Sequence, residues 1–320
     1  MKQPVAKALR YFRDSNYRFL INSGFGCYNS MPDEEYLRRK FKACMGRELD
    51  LTHPQTFNEK LQWLKLYDRK PEYTMMVDKY RVREYIKEKL GEEYLIPLLG
   101  VWDDPDEIDF DALPNRFVLK CNHNSGLGMC ICKDKSKLDI PKVKAELRKG
   151  LAQDYYLTGR EWPYQDVPRK IICEKFMEDE NVSTAESRIA YVNGLIDYKF
   201  YCFSGEPKFL YVGFANINKN SKHDLLSFLE LNWKQAPFYR KDHDPLPFKL
   251  KKPDDFDDMI RIASKLSQGI PFLRVDLYYL NQQIYFSELT FYPGSGFGRF
   301  YPDKWENKIG TWLNLPKKCT

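Results

Sequence analysis

The chain has 320 residues, 43% hydrophobic and 30% charged, with a net charge of +6. That length suits a soluble globular protein with a sizeable core in two or three lobes. No run of about 18 apolar residues occurs, which excludes a membrane-spanning helix. The mild charge admits an acidic ligand such as a nucleotide or an anionic glycan without requiring one. Lys2, Lys7 and Arg10 precede no apolar stretch, so the N-terminus does not read as a signal peptide. None of the eight cysteines forms a C-x-x-C pair or another zinc spacing. Several lie in apolar strand-like runs, as in Ile171-Ile172-Cys173. Buried reduced thiols and a cytoplasmic location are therefore expected.

Residues 1–50 read as basic, aromatic and largely helical. The stretch from Lys7 to Ile21 predicts a short amphipathic helix, first as one packed on its own domain and second as one touching a membrane surface or a partner. Pro32 followed by Asp33, Glu34 and Glu35 is a helix start. Phe57, Leu61, Leu64 and Tyr67 keep the helical period. Val77–Ile86 is expected to be helical to a stop near Gly91, with Lys79 and Arg83 on one face. Residues 95–113, rich in Pro and Asp, read as a connection at a lobe boundary.

Arg116–Cys121 reads as a strand ending near Lys120. The polar turn Asn122–Gly128, with Ser125, Gly126 and Gly128, leads into a second strand, Met129–Cys132. A strand lysine beside a glycine-bearing loop presents an ammonium and backbone N–H groups to phosphate. An ordinary hairpin turn fits the same residues. The spacing is neither a Walker loop nor a Rossmann fingerprint. His123 reads as a turn residue. Residues 141–154 are expected to be helical and Lys170–Met177 a strand that runs into Glu178, Asp179 and Glu180. A hairpin around Ser204-Gly205-Glu206-Pro207 would put Asp197 and Lys199 on one strand face. Residues 215–250 read as irregular. Pro253–Gly269 predicts an amphipathic helix that Asp254 can cap, and Trp305 and Trp312 fall in a closing helix.

The most informative stretch is Phe272–Gly296. Two strand-like runs, Phe272–Leu280 and Gln283–Thr290, flank a turn at Asn281. Arg274 and Asp276 share one face of the first run, and Glu288 and Thr290 one face of the second. A hairpin would oppose Asp276 to the second pair, and two carboxylates on an apolar sheet call for a counter-charge such as Mg²⁺. An exposed hairpin with acids on its wet face is the alternative. A glycine-rich loop, Pro293–Gly298, follows. The basic residues form no stripe interleaved with aromatics, so nucleic acid is not an expected partner.

The order of these pieces resembles the ATP-grasp enzymes, such as D-alanine–D-alanine ligase, and more closely the TupA-like ATP-grasp family. The resemblance rests on Thr56-Phe57-Asn58-Glu59-Lys60-Leu61-Gln62-Trp63-Leu64-Lys65, Asp78-Lys79-Tyr80, Phe117-Val118-Leu119-Lys120, Asp197-Tyr198-Lys199-Phe200 and Arg274-Val275-Asp276-Leu277-Tyr278, and runs from about residue 34 to the C-terminus. It implies an α+β ATP-grasp fold, two lobes clasping a nucleotide. The expected divisions are a helical region at 1–75, a helix and linker at 76–115, a small lobe at 116–178 and a large lobe at 179–320.

The resemblance assigns Lys79, Lys120 and Lys199 to phosphates, and Asn122, Ser125, Gly126 and Gly128 to a loop closing over the triphosphate. It gives Glu174, Lys175, Phe176 and Met177 to the adenine hinge, and Glu180, with Glu178 as alternative, to the ribose. It gives Arg274 and Lys199 to catalysis, Asp276, Glu288 and Thr290 to Mg²⁺, and Gly294, Ser295 and Gly296 to a substrate loop. Thr290 stands where much of the superfamily has Asn, and a hydroxyl is a poorer Mg²⁺ ligand. The helical N-terminal region replaces the usual α/β unit, so the substrate pocket does not carry over.

The implied activity is ATP- and Mg²⁺-dependent joining of a carboxylate to an amine through an acylphosphate, in surface polysaccharide biosynthesis. The implied partners are ATP and an acidic sugar or amino acid, with peripheral contact to the inner face of a membrane or to a glycan-assembly enzyme through the basic N-terminus. A glycosyltransferase and a glycan kinase are the alternatives. The first would show an Asp-x-Asp at a strand end, whereas Asp255-Phe256-Asp257 and Asp104-Pro105-Asp106 read as a cap and a turn.

Overall fold

A computed structural model describes residues 2–178, 195–214, 225–247 and 249–318. Four helices open the chain: α1 (Lys2–Arg13), α2 (Ser15–Gly24), α3 (Asp33–Met45) and α4 (Phe57–Tyr67). Pro32 and the three acids of its first turn start α3, and Gly46 at φ 73° ends it. Thr56 and Glu59 start α4 with a reciprocal capping box. The outlier is α1: Leu9 and Phe12 are exposed rather than packed on the domain.

The expected single helix over 77–86 is two, α5 (Glu72–Val77) and α6 (Val82–Lys89). The break is caused by Asp78. Its backbone is extended, and its Oδ1 accepts from the N–H groups of Tyr80 and Arg81, offering the chain a turn in place of a helix. Lys79 therefore sits in a turn.

The connection at 95–113 contains a strand, β1 (Leu98–Trp102), so the smaller sheet begins upstream of the expected boundary. That sheet adds β2 (Phe117–Cys121), β3 (Met129–Cys132) and β4 (Ile171–Lys175) in the order β1-β4-β2-β3, all antiparallel. One face packs Phe117, Leu119, Ile171 and Cys173 with Val143 and Leu147 of α7 (Ile140–Leu151). The other carries Val118, Lys120, Ile172 and Glu174.

The larger sheet holds β5 (Asp197–Phe203), β6 (Glu206–Phe214), β7 (Leu225–Glu230), and, after the short β8 (Tyr239–Arg240), β9 (Phe272–Leu280) and β10 (Gln283–Thr290). Its order is β10-β9-β5-β6-β7, antiparallel throughout. Thus residues read as irregular supply an edge strand, β7. Helix Phe256–Ser267 covers this sheet, with Phe256, Met259, Ala263 and Leu266 buried. Asp255 rather than Asp254 sits at its start, without a side-chain cap bond. The N-terminal helices share this core: Phe57 touches the rings of Tyr201, Phe203, Phe272 and Phe300. The helical region is thus part of the large lobe's core. Among the described residues the cysteines are free; Cys121, Cys132, Cys173 and Cys202 are buried, Cys27 and Cys44 exposed.

In the closing helix Lys304–Trp312, Glu306 accepts from the Phe300 N–H at 2.5 Å, while its other oxygen is buried with no hydrogen-bond partner among the described residues. Burial pushes its carboxyl up to about 7. The folded chain therefore holds this proton more tightly than the unfolded chain, whose value is 4.5. Its favourable contribution is complete below the unfolded value and is lost as pH rises toward 7. Glu306→Gln should gain on wild type between pH 4.5 and pH 8 by on the order of 2–3 kcal/mol. Chemical denaturation at the two pH values measures this, and parallel pH profiles would contradict it.

Candidate functional site

The site is built by strand register. Across three neighbouring strands, Lys199 of β5 stands opposite Asp276 of β9, and Asp276 opposite Glu288 of β10. Tyr211 of β6 extends the row beyond Lys199. The adjacent row is Tyr201, Arg274 and Thr290. A single bulge makes this possible. Asn281 and Gln282, both at positive φ, form the turn, and pairing runs regularly from Leu280↔Gln283 to Leu277↔Phe286. Continued regularly, it would oppose Ser287 to Asp276. The bulge after Phe286 skips Ser287, so Glu288 takes that place.

Asp276 is fully buried. Arg274 holds it through Nε and Nη2, each at 2.7 Å, and Lys199 through Nζ at 2.7 Å. Arg274 also donates to the Thr290 hydroxyl at 2.9 Å and lies 3.7 Å from Glu288. Burial acts to raise the Asp276 carboxyl, but Arg274 and Lys199 outweigh it and hold it below the usual value. Burial likewise opposes the charge on Lys199, and Asp197, 3.2 Å away, together with Asp276 keeps it above the normal lysine range. Buried charge here is compensated in kind.

The smaller lobe meets this row through Lys79. Its Nζ donates to the Asn124 carbonyl at 2.6 Å and lies 3.7 Å from Glu288. Burial pulls this ammonium down, against the attraction of Glu288. Lys120 pairs with Glu174 at 2.7 Å, and Arg83 approaches the same carboxylate at 3.5 Å. Lys79 and Arg83, expected on one helix face, thus both reach acids between the two sheets, one from the turn at Asp78 and the other from α6. Lys79, Lys120, Lys199 and Arg274 all reach the acids of this one cleft, an arrangement suited to binding a polyanion.

Other expected residues have different settings. The Asn122 amide is spent on structure: it donates to Asp78 and the Pro168 carbonyl and accepts from the Lys170 N–H, each at 2.8 Å. Ser125 and Gly126 are exposed at the tip of the loop. Gly128, at φ 69°, could not carry a Cβ, which would lie 2.7 Å from Cys121 Sγ and 2.8 Å from Gly150 Cα. Glu178 is clamped by the Arg116 guanidinium, which also covers the Phe176 ring. Lys175 is exposed and Met177 half-buried. Glu180 lies outside the described residues.

Among the described residues no group of three or more His, Cys, Asp and Glu side chains could hold a metal. The Asp276–Glu288 pair nevertheless fits Mg²⁺, which is commonly held by one or two carboxylates while phosphate oxygens and water complete its shell. Glu288 is the more available of the two, since its side chain keeps 25% exposure and its cations stand off at 3.7 Å.

The loop Pro293–Gly298 is clamped by α4, a role the sequence did not suggest. Asn58 donates to the Gly296 and Gly298 carbonyls at 2.9 and 3.0 Å. Gln62 donates to Gly296 at 2.9 Å, and the buried Lys65 to Ser295 at 2.7 Å. Gly294, Ser295 and Gly296 all hold positive φ, and a Cβ on Gly296 would collide with Gln62. The residues of α4 that keep its helical period face the core, and its amides hold the loop beneath the site.

A family model described as TupA-like ATPgrasp matches residues 59–314. Among solved structures, D-alanine–D-alanine ligase from Helicobacter pylori aligns at 15% identity and TM-score 0.46, covering 81% of this chain and 69% of that one. D-alanine–D-alanine ligase from Bacillus anthracis complexed with ATP aligns at 13% identity and TM-score 0.38. That alignment covers 68% of this chain, which spans only 53% of the ligase. D-alanyl-alanine synthetase A from Vibrio cholerae aligns at 10% identity and TM-score 0.39, covering 74% and 59%. Among curated proteins nothing matches.

Asn58→Ala would leave the Gly298 carbonyl without its side-chain donor and the Gly296 carbonyl with Gln62 alone. It should cost about 1–3 kcal/mol of stability, read by chemical denaturation. An unchanged midpoint would show that the clamp does not hold the loop.

Proposed function

This chain belongs to the TupA-like ATP-grasp family, and we propose that it is an ATP- and Mg²⁺-dependent ligase joining a carboxylate to an amine. The observation that carries the reading is the aligned row Lys199–Asp276–Glu288, with Arg274 beside it and Lys79 reaching it from the other lobe. Lys79, Lys120 and Lys199 bind the phosphates. Asp276 and Glu288 would hold Mg²⁺, which when bound neutralises phosphate charge. Arg274, kept rigid by Asp276 and Thr290, faces the charge that builds on the migrating phosphoryl group.

In the first step a carboxylate oxygen attacks the γ-phosphorus and ADP leaves, giving an acylphosphate. In the second an amine attacks the acyl carbon, inorganic phosphate leaves, and the nitrogen loses a proton. A carboxylate is a poor electrophile at neutral pH, and phosphorylation supplies the leaving group it lacks. The Pro293–Gly298 loop, anchored by α4 next to β10, lines the acyl side. The substrates we propose are an amino acid and a uronic acid of a surface polysaccharide. The exposed Leu9 and Phe12 beside Lys7, Arg10 and Arg13 support peripheral contact of α1 with an anionic membrane. Flotation with vesicles of anionic and of neutral lipid tests that contact. Equal recovery in both would contradict it.

The reaction itself is tested by ADP release in a matrix of acids and amines. Release that needs both an acid and an amine supports the ligase, and release with a hydroxyl compound alone would make it a kinase. Arg274→Ala should lower kcat on the order of 10²–10³-fold, with Arg274→Lys recovering part of it. An unchanged kcat in Arg274→Ala would remove Arg274 from the mechanism.

A further inference from the structure

Glu161 lies between helix α8 (Tyr155–Gly159) and β4, and the nucleotide reading does not use it. The residue is only 4% exposed. The Ser295 hydroxyl donates to its Oε1 at 2.6 Å, and among the described residues no second donor to this carboxylate is seen. Lys65, the cation that most offsets its charge ahead of Lys40, makes its hydrogen bonds elsewhere. The three hydrogen bonds of that ammonium go to Gln62 Oε1 at 3.0 Å, the Gly159 carbonyl at 2.7 Å and the Ser295 carbonyl at 2.7 Å. Burial accordingly raises the Glu161 carboxyl, with Lys65 opposing.

The surroundings connect this carboxylate to the reaction centre. Tyr155 and Tyr164 pack edge to face with ring centroids 4.8 Å apart. Both hydroxyls feel the negative charges of Glu161 and of Glu288 together with the positive charge of Arg274. Ser125 of the glycine loop lies near Tyr155 and acts to lower its hydroxyl. Ser295 belongs to the loop that directly follows β10, the strand carrying Glu288. Glu161 is thus a buried carboxylate beside the loop that follows β10, with the Ser295 hydroxyl as its one side-chain hydrogen-bond donor among the described residues.

A buried carboxylate in that condition gains from a cation that brings its own N–H donors. The nucleotide cannot supply one, because its phosphates are anionic. The second substrate of the proposed ligase can, since a primary amine arrives as an ammonium. We propose that Glu161 is the docking carboxylate for the amine substrate, taking it as a primary ammonium group against Tyr155, Tyr164 and Ser295. The same carboxylate accepts the proton the ammonium must shed before its lone pair can attack the acyl carbon; the second proton leaves with the product phosphate. The inference rests on the ligase reading and names the amine subsite within it.

The test uses the full chain with Mg²⁺ and ADP at saturation, and reads the thermal midpoint. The probes are methylammonium and ethanolammonium chloride, against potassium chloride at equal ionic strength and against ethanol and ethylene glycol as neutral analogues. The two ammonium probes should raise the midpoint above all three controls. Glu161→Gln keeps an acceptor for the Ser295 hydroxyl. It should retain the full Mg²⁺–ADP shift and lose the ammonium increment. An increment that persists in Glu161→Gln, or one no larger than with potassium chloride, overturns the proposal and leaves Glu161 as a structural partner of Ser295 and Lys65. Absence of any nucleotide shift in wild type would instead sink the ATP reading and, with it, this subsite.

Discussion

Everything at the site depends on the lateral register of three antiparallel strands. Charged residues two apart on a strand share a face, but which charges meet across strands depends on pairing. Here β5, β9 and β10 bring Lys199, Asp276 and Glu288 into line, and the next row brings Arg274 to Thr290. The buried Asp276 is tolerable only because Arg274 and Lys199 close on it together. The interaction also works in reverse: Asp276 aims a guanidinium and an ammonium that would otherwise be free to turn. Rigid cations in a partly dry cleft are what stabilisation of a migrating phosphoryl group requires.

The N-terminal helices serve this arrangement from beneath. Phe57 locks α4 into the aromatic core of the large sheet, and the polar residues of the same helix hold the loop after β10. The glycines of that loop are needed because the chain both bends through positive φ and passes against α4. A helical segment thereby takes on the positioning of the loop that follows β10.

Much of this was legible in the sequence. The hairpin strands, the shared face of Arg274 and Asp276, and the lysine before a glycine loop follow from period-two patterning and turn chemistry. The opposition of Asp276 and Glu288 was inferred, yet its cause was not visible. With a two-residue turn, regular pairing would have brought Ser287 there, and only the bulge restores Glu288. Lys79 was read on a helix because Asp78 looks like a helix residue until its carboxylate is seen closing a turn. Glu161 carried no signal, and Lys65, though part of the Thr56–Lys65 phrase, gave no sign of the role its ammonium plays under the loop. Their burial comes from contacts with Ser295, far away in sequence. The edge strand at 225–230 was missed because its alternation is short and follows a polar stretch.

The central claim is that the Asp276–Glu288 row binds nucleotide with Mg²⁺. Isothermal titration of ATP and ADP, with and without Mg²⁺, into wild type and Glu288→Ala tests it most directly. The account predicts nucleotide binding that Mg²⁺ strengthens in wild type, and a variant that binds without the Mg²⁺ enhancement. Binding of a sugar nucleotide in place of ATP, or an enhancement that survives Glu288→Ala, would contradict it.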